Sequence, residues 1–195
     1  MKKLTVILTL VALFAFAGSA FSQGKMSVGL GVGYNLPQGD MASKTKNDRD
    51  AAIGFGLNFG YMVNENFEAG LGIGMITFPG KSSGDNIDEK MLPIMLSGRY
   101  FFWKQDKISA YGGLNVGMTN TNYKVTGFDA SKLLLSYGLK VGACYAINEK
   151  IGADFGVGYN IVATKNAKFT DSGSTYKPTW NDSFLGINLG VNYKF

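Results

Sequence analysis

The sequence predicts an all-β protein: one eight-stranded antiparallel up-and-down transmembrane barrel, made as a precursor with a cleaved signal peptide. Three observations carry this. Apolar and polar residues alternate with a period of two in eight successive segments, the side-chain period of a strand and not of a helix. The connections between the segments alternate between short and long. The polar face is mostly Gly, Asn and Ser rather than charge, and Gly alone makes up 27 of the 195 residues.

Met1-Lys2-Lys3 is a short basic start, residues 4–17 are apolar and uncharged, and small residues at Ala20 and Ser22 fit a cleavage site before Gln23. The apolar stretch is 14 residues, short of the about 20 that a helix needs to span a bilayer. Residues 1–22 are therefore expected to be a signal peptide and residues 23–195 a single barrel domain. No Cys stands at the junction, which argues against a lipid anchor. Removing Lys2 and Lys3 from the 19 basic residues leaves 17 against 14 acidic, an excess too small to argue for nucleic acid. The lone Cys144 excludes an intramolecular disulfide, so stability must come from strand pairing and packing.

The strands follow in order. The first sets Met26, Val28, Leu30, Val32, Tyr34 and Leu36 against Ser27, Gly29, Gly31, Gly33 and Asn35. The second sets Ile53, Phe55, Leu57, Phe59 and Tyr61 against Gly54, Gly56, Asn58 and Gly60. In the third, Phe67, Ala69, Leu71, Ile73 and Met75 face away from Glu68, Gly70, Gly72 and Gly74. The fourth is noisier, with Leu92, Ile94, Leu96, Tyr100 and Phe102 opposite Met95, Ser97, Arg99 and Phe101. The fifth has Ile108, Ala110, Leu114, Val116 and Met118 against Ser109, Tyr111, Gly113, Asn115 and Gly117. The sixth has Leu133 to Tyr145 at odd positions against Ser136, Gly138, Lys140, Gly142 and Cys144. The seventh has Ile151 to Ile161 at odd positions against Gly152, Asp154, Gly156, Gly158 and Asn160. The eighth has Leu185 to Phe195 at odd positions against Gly186, Asn188, Gly190, Asn192 and Lys194.

Short turns are expected at residues 63–66, 103–107 and 148–150, and long polar loops at 37–50, 79–90, 119–132 and 163–182. Three short and four long connections place both termini on the short-turn side, the layout of an outer-membrane barrel.

Alternation alone does not say which face meets lipid, because a soluble lipocalin-like barrel also alternates. A water-exposed polar face is typically a quarter or more charged. Here its clear charges are Glu68, Arg99, Lys140, Asp154 and Lys194, spread over eight strands. The polar face therefore reads as a crowded lumen and the apolar face as the exterior, which is tolerable only in lipid. Tyr61, Phe67, Tyr100, Phe102, Trp103, Tyr145, Tyr193 and Phe195 fall at the short-turn ends of strands, and Tyr34, Phe78, Tyr123, Tyr159 and Phe184 near the long-loop ends. Two such clusters are read as girdles at the two interfaces.

On this architecture, and on the ending Val191-Asn192-Tyr193-Lys194-Phe195, residues 25–195 resemble the small eight-stranded outer-membrane barrels, like the OmpA transmembrane domain and OmpX. The Gly-rich strands and the Ser-Gln junction look similar to barrels of Bacteroidetes-type bacteria. The resemblance implies an insertion signal at Tyr193 and Phe195 read by the barrel-insertion machinery, and contact with outer-membrane lipid and lipopolysaccharide. It departs from OmpA in stopping at the eighth strand, so no peptidoglycan-binding domain is expected to follow.

The chain contains no histidine, which removes His triads, His bases and His metal ligands. Palmitoyl transferases, lipid A deacylases and omptin-type proteases look His-dependent, so the resemblance does not extend to those barrel enzymes. Cys144 without a base is a poor nucleophile and reads as a small packed residue. No catalytic residue, cofactor or metal site is expected. Inside the barrel a buried charge needs a partner, so Glu68, Arg99, Lys140 and Asp154 are expected to form a lumen network with Tyr111, Asn58 and Asn115. Its first reading is a plug that fixes packing, and its second is the gate of a narrow ion pathway.

Asp48-Arg49-Asp50 and the acidic run at 85–89 read as solvated loop charge rather than a cation site. Phe169, Tyr176 and Trp180 are read either as contacts for an extracellular partner, whose nature the sequence leaves open, or as an extension of the barrel rim. The functional expectation is a non-enzymatic structural, envelope-integrity or surface-interaction barrel. The alternatives are a narrow conduit and, third, a periplasmic lipocalin-like binder.

Overall fold

The computed structural model describes residues 25–43, 48–82, 85–125, 128–171 and 173–195. The expected signal peptide, residues 1–22, lies outside these. Eight long strands close into a ring: β1 (Met26–Gln38), β2 (Ala52–Met62), β3 (Phe67–Ser82), β4 (Asp85–Gln105), β5 (Ile108–Val125), β6 (Phe128–Ala146), β7 (Ile151–Val162) and β10 (Asp182–Lys194). Two short strands, β8 (Phe169–Asp171) and β9 (Ser174–Tyr176), make a separate hairpin between β7 and β10. Each barrel strand pairs antiparallel with its neighbour in sequence. β1 closes onto β10 from Ser27↔Lys194 to Gln38↔Ser183, so the ring leaves no unpaired edge.

The period of two decides what each face carries. Leu30, Phe55, Leu96, Leu114, Leu139 and Leu189 point out of the ring and are 58–67% exposed. Between them the chain turns small residues inward. Gly31 stands opposite Gly190 on one side and Gly56 on the other, and Gly56 stands opposite Gly74. These four glycines form a band across β10, β1, β2 and β3 that adds no side chain to the lumen.

The structure corrects the expected connections. Residues 79–90 and 119–132 are not loops: β3 runs to Ser82 and β4 starts at Asp85, while β5 runs to Val125 and β6 starts at Phe128. At this end the alternation continues with its sign reversed. Phe78, Glu89, Met91 and Tyr123 point inward and are buried, whereas Pro79, Lys90 and Lys124 point outward and are exposed. A polar exterior over a largely apolar interior is how a sheet behaves in water, so the two long hairpins stand clear of the hydrocarbon. At the opposite end, residues 103–105 belong to β4 rather than to a turn. A register shift between Phe101 and Trp103 leaves both Phe102 and Trp103 on the outer wall, and the turn shrinks to Asp106 and Lys107. Asp106 takes a left-handed φ of 48°, a conformation that Asp tolerates better than most residues.

Candidate functional site

At the short-turn end five strands send side chains to one point in the lumen. Glu68 on β3 lies directly opposite Arg99 on β4. Arg99 Nε donates to Glu68 Oε1 at 2.9 Å, a second guanidinium nitrogen donates to the same oxygen, and the third donates to Asp154 Oδ2 at 3.0 Å. Lys140 Nζ on β6 donates to Asp154 Oδ1 at 3.1 Å, as does the Tyr111 hydroxyl from β5. The Cys144 thiol donates to Asp154 Oδ2 at 3.2 Å.

The Tyr111 ring is completely buried, 5.2 Å from the Arg99 guanidinium carbon, 5.5 Å from Lys140 Nζ and 5.7 Å from the Phe101 ring. Two acids face two bases, and each carboxylate is held by charge-assisted hydrogen bonds. The inward glycines of β6 and β7 make the room. A Cβ on Gly156 would fall 2.2 Å from Lys140 Cε, and one on Gly142 would fall 2.4 Å from the Phe155 carbonyl oxygen and 2.6 Å from the Tyr111 hydroxyl. Asn58 and Asn115 are not among this group's bonds: Asn58 donates to Asn192 at 3.3 Å, and Asn115 lines the space above.

That space is a cavity of about 280 Å³ at mid-barrel. Arg99, Lys140 and Asp154 form its floor, Asn58, Asn115, Asn160 and Asn188 line its walls, and Ile76, Val162 and Phe184 form its ceiling.

Above the ceiling lies a second closure that the sequence reading did not find. Met41, Phe78, Met91, Tyr123, Phe169 and Val162 are at most 2% exposed and pack as one cluster. The Tyr123 ring meets Phe169 at 4.7 Å and Tyr176 at 5.5 Å, and Phe78 meets Phe184 at 5.4 Å. Phe78, Tyr123 and Phe184 are therefore not part of an outer girdle, which retains Tyr34 and Tyr159 at this end. Phe169 and Tyr176 do not project outward as partner contacts either, since the β8–β9 hairpin folds them over the mouth.

The solvated reading of Arg49 and Glu89 is also corrected. Arg49 Nε donates to Glu89 Oε2 at 3.0 Å, with side chains 1% and 0% exposed. Asp182 joins them across the mouth, accepting from the Tyr123 hydroxyl at 2.7 Å while its backbone N–H donates to Thr164 Oγ1. Burial pushes the Glu89 carboxyl well up, the neighbouring Asp182 pushes it the same way, and Arg49 offsets only part of this. Burial also raises Asp182, against hydrogen bonds with Glu89, Tyr123 and Thr164 that lower it. Burial raises the Tyr123 hydroxyl, helped by Glu89 and Asp182, and pushes Tyr176 up to about 12. The flanking outward residues Asp88, Lys90, Asn122 and Lys124 are polar, which places this level above the hydrocarbon.

A family model described as outer membrane protein beta-barrel domain matches residues 6–195. The chain belongs to this family. Solved outer-membrane barrels share the fold at low identity. Neisserial surface protein A superposes with a TM-score of 0.62 at 15% identity, covering 90% of this chain and 100% of that one. The attachment invasion locus protein Ail of Yersinia pestis gives 0.56 at 17%, covering 89% and 100%. OprG of Pseudomonas aeruginosa gives 0.54 at 16%, covering 89% and 97%. No curated protein sequence matches the chain.

The protein thus resides in the bacterial outer membrane, and the family layout makes the short-turn end periplasmic and the long-hairpin end extracellular. On this outer-membrane barrel Tyr61, Phe67, Tyr100, Phe102, Trp103, Tyr145, Tyr193 and Phe195 all lie on the outer wall at the periplasmic end, each 37% exposed or more. Tyr193 and Phe195 stack edge to face at 5.2 Å, and the Phe195 N–H donates to the Met26 carbonyl, tying the C-terminus to β1.

Proposed function

We propose that this barrel is non-enzymatic and acts through its wall and outer rim, in envelope integrity or surface interaction. The carrying observation is that the lumen is closed at two levels, by the Arg99 network below and the Tyr123 cluster above, so little is left for transport. The lumen chemistry supports the same reading. Asp154 is engaged with Arg99, Lys140, Tyr111 and Cys144, and a carboxylate already paired with two cations is a poor base for the Cys144 thiol that donates to it. Two fold neighbours carry surface roles in their names, Neisserial surface protein A and the Ail attachment invasion locus protein. At their level of identity they support the fold alone, so the surface role rests on the closed lumen.

The outer rim is the part in reach of lipopolysaccharide. Tyr193 and Phe195 are the residues we assign to recognition by the insertion machinery, and the periplasmic aromatics to anchoring at the interface. The second reading, a narrow conduit, is favoured by one observation, the cavity of about 280 Å³ between the two closures. Planar-bilayer recording separates the two. The closed reading predicts no steady conductance from purified protein at neutral pH. A stable open level that changes when Lys140 is replaced by Gln would establish the conduit instead.

A further inference from the structure

The two closures differ in their charge count. Below, Glu68 and Asp154 face Arg99 and Lys140. Above, the titratable groups that converge are Glu89 from β4, Asp182 from β10, Tyr123 from β5, Tyr176 from β9 and Arg49 from the segment before β2. Among the described residues, two acids there meet one guanidinium. Glu89 and Asp182 are 0% exposed and converge on one point: Arg49, which pairs with Glu89, lies 5.7 Å from the Tyr123 ring, and the Tyr123 hydroxyl donates to Asp182. Among the described residues, Glu89 Oε1 and Asp182 Oδ1 are buried and find no donor. Ionised carboxylates are acceptors only, so a proton on one of these oxygens would supply a donor that the site otherwise lacks.

We propose that Glu89 and Asp182 share one proton that latches the extracellular mouth, and that losing it opens the mouth to the cavity beneath. The latch sits where two of the segments that cover the lumen meet. Arg49 brings in the first loop, whose residue 49 also bridges to Gly80 on β3. Beside the pair, the backbone N–H of Asp182 donates to Thr164 Oγ1, and the Thr164 hydroxyl donates to the Trp180 carbonyl, which fastens the last loop at this point. With the proton gone, two negative charges lie buried beside one positive charge, a state relieved by letting water in.

The sign follows from linkage. The closed mouth keeps a proton that solvated carboxylates in the open mouth release, so closing binds a proton and rising pH favours opening. Between the ordinary carboxylate range and the raised range of the closed pair, the open-to-closed ratio grows about tenfold per pH unit. The lower network has no surplus acid and stays shut. The latch is thus separate from the question of conduction, and its test reads the mouth alone.

The test is cysteine labelling in vesicle-reconstituted protein carrying Cys144→Ala. Met41→Cys places a thiol in the buried cluster, and Lys165→Cys gives an exposed reference that cancels the pH dependence of the thiol itself. With a water-soluble maleimide, the Met41→Cys rate relative to the reference should climb as pH rises between about 5 and 9. Adding Asp182→Asn should hold it low and flat, because the amide accepts from Tyr123 and offers Glu89 a permanent N–H in place of the proton. A flat wild-type profile, or the same climb with Asp182→Asn, would overturn the latch. If Met41→Cys does not insert, amide hydrogen exchange of β8 and β9 in the unmodified chain, with and without Asp182→Asn and expressed as protection relative to the intrinsic exchange rate at each pH, reads the same opening and is judged the same way.

Discussion

Replacing Arg99 with alanine destabilises the barrel by about 3–5 kcal/mol, measured as urea unfolding in lipid vesicles. The magnitude follows from what the side chain leaves behind. Glu68 and Asp154 have side chains only 10% and 9% exposed, and the guanidinium between them is 12% exposed. Asp154 keeps Lys140, but Glu68 is left as a buried carboxylate without its cation. Removing both members tests whether the loss comes from the stranded charge or from packing. The double variant Glu68→Leu with Arg99→Met leaves the Lys140–Asp154 pair in place and should recover most of the stability, since apolar replacement of a whole buried pair is often neutral. An Arg99→Ala variant within about 0.5 kcal/mol of wild type, the range of surface substitutions, would mean that water in the cavity already screens the network.

The second large effect lies on the other face. Leu139 is 62% exposed near mid-height of β6, and Lys140 beside it points inward to Asp154. Leu139→Arg should cost about 2–4 kcal/mol in a bilayer, the depth-dependent penalty for a charge on the lipid face of a barrel. A water-soluble barrel with the same coordinates would accept that arginine almost freely. The neighbouring residues thus form a matched pair, one carrying a charge by design and the other unable to take one, separated only by the pleat of the strand.

Much of this was legible in the sequence because a barrel wall in lipid writes its own alternation. The eight segments and the pairing of Glu68 with Arg99 across β3 and β4 all follow from parity and from counting strands. What escaped was the part above the membrane. Along β3 the inward residues run Glu68, Gly70, Gly72, Gly74 and then Ile76 and Phe78. The parity is unbroken, but polarity changes sides as the solvent outside changes from lipid to water. Read for apolar exteriors alone, Pro79, Lys90, Lys124 and their neighbours look like loop.

The same reversal hid the second closure. Arg49, Glu89 and Asp182 lie far apart in sequence, in two presumed loops and at a loop end, and only the inward folding of those segments brings them together. A cue was present all the same. Tyr123 keeps the parity of Tyr111 on β5, so an aromatic assigned to an outer girdle had to point into the lumen.

Spin-label accessibility in lipid vesicles tests the central claim most directly, that the apolar face meets lipid around a closed polar lumen. In a Cys144→Ala background a nitroxide is placed at Leu139 or at Asn115. At acidic pH, where the mouth is latched, the label at position 139 should be relaxed strongly by oxygen dissolved in the bilayer and weakly by a water-soluble nickel chelate, and the label at position 115 should be shielded from both. A label at position 139 that responds to the nickel chelate over oxygen, or free access of the chelate to position 115, would contradict the orientation or the closure described here.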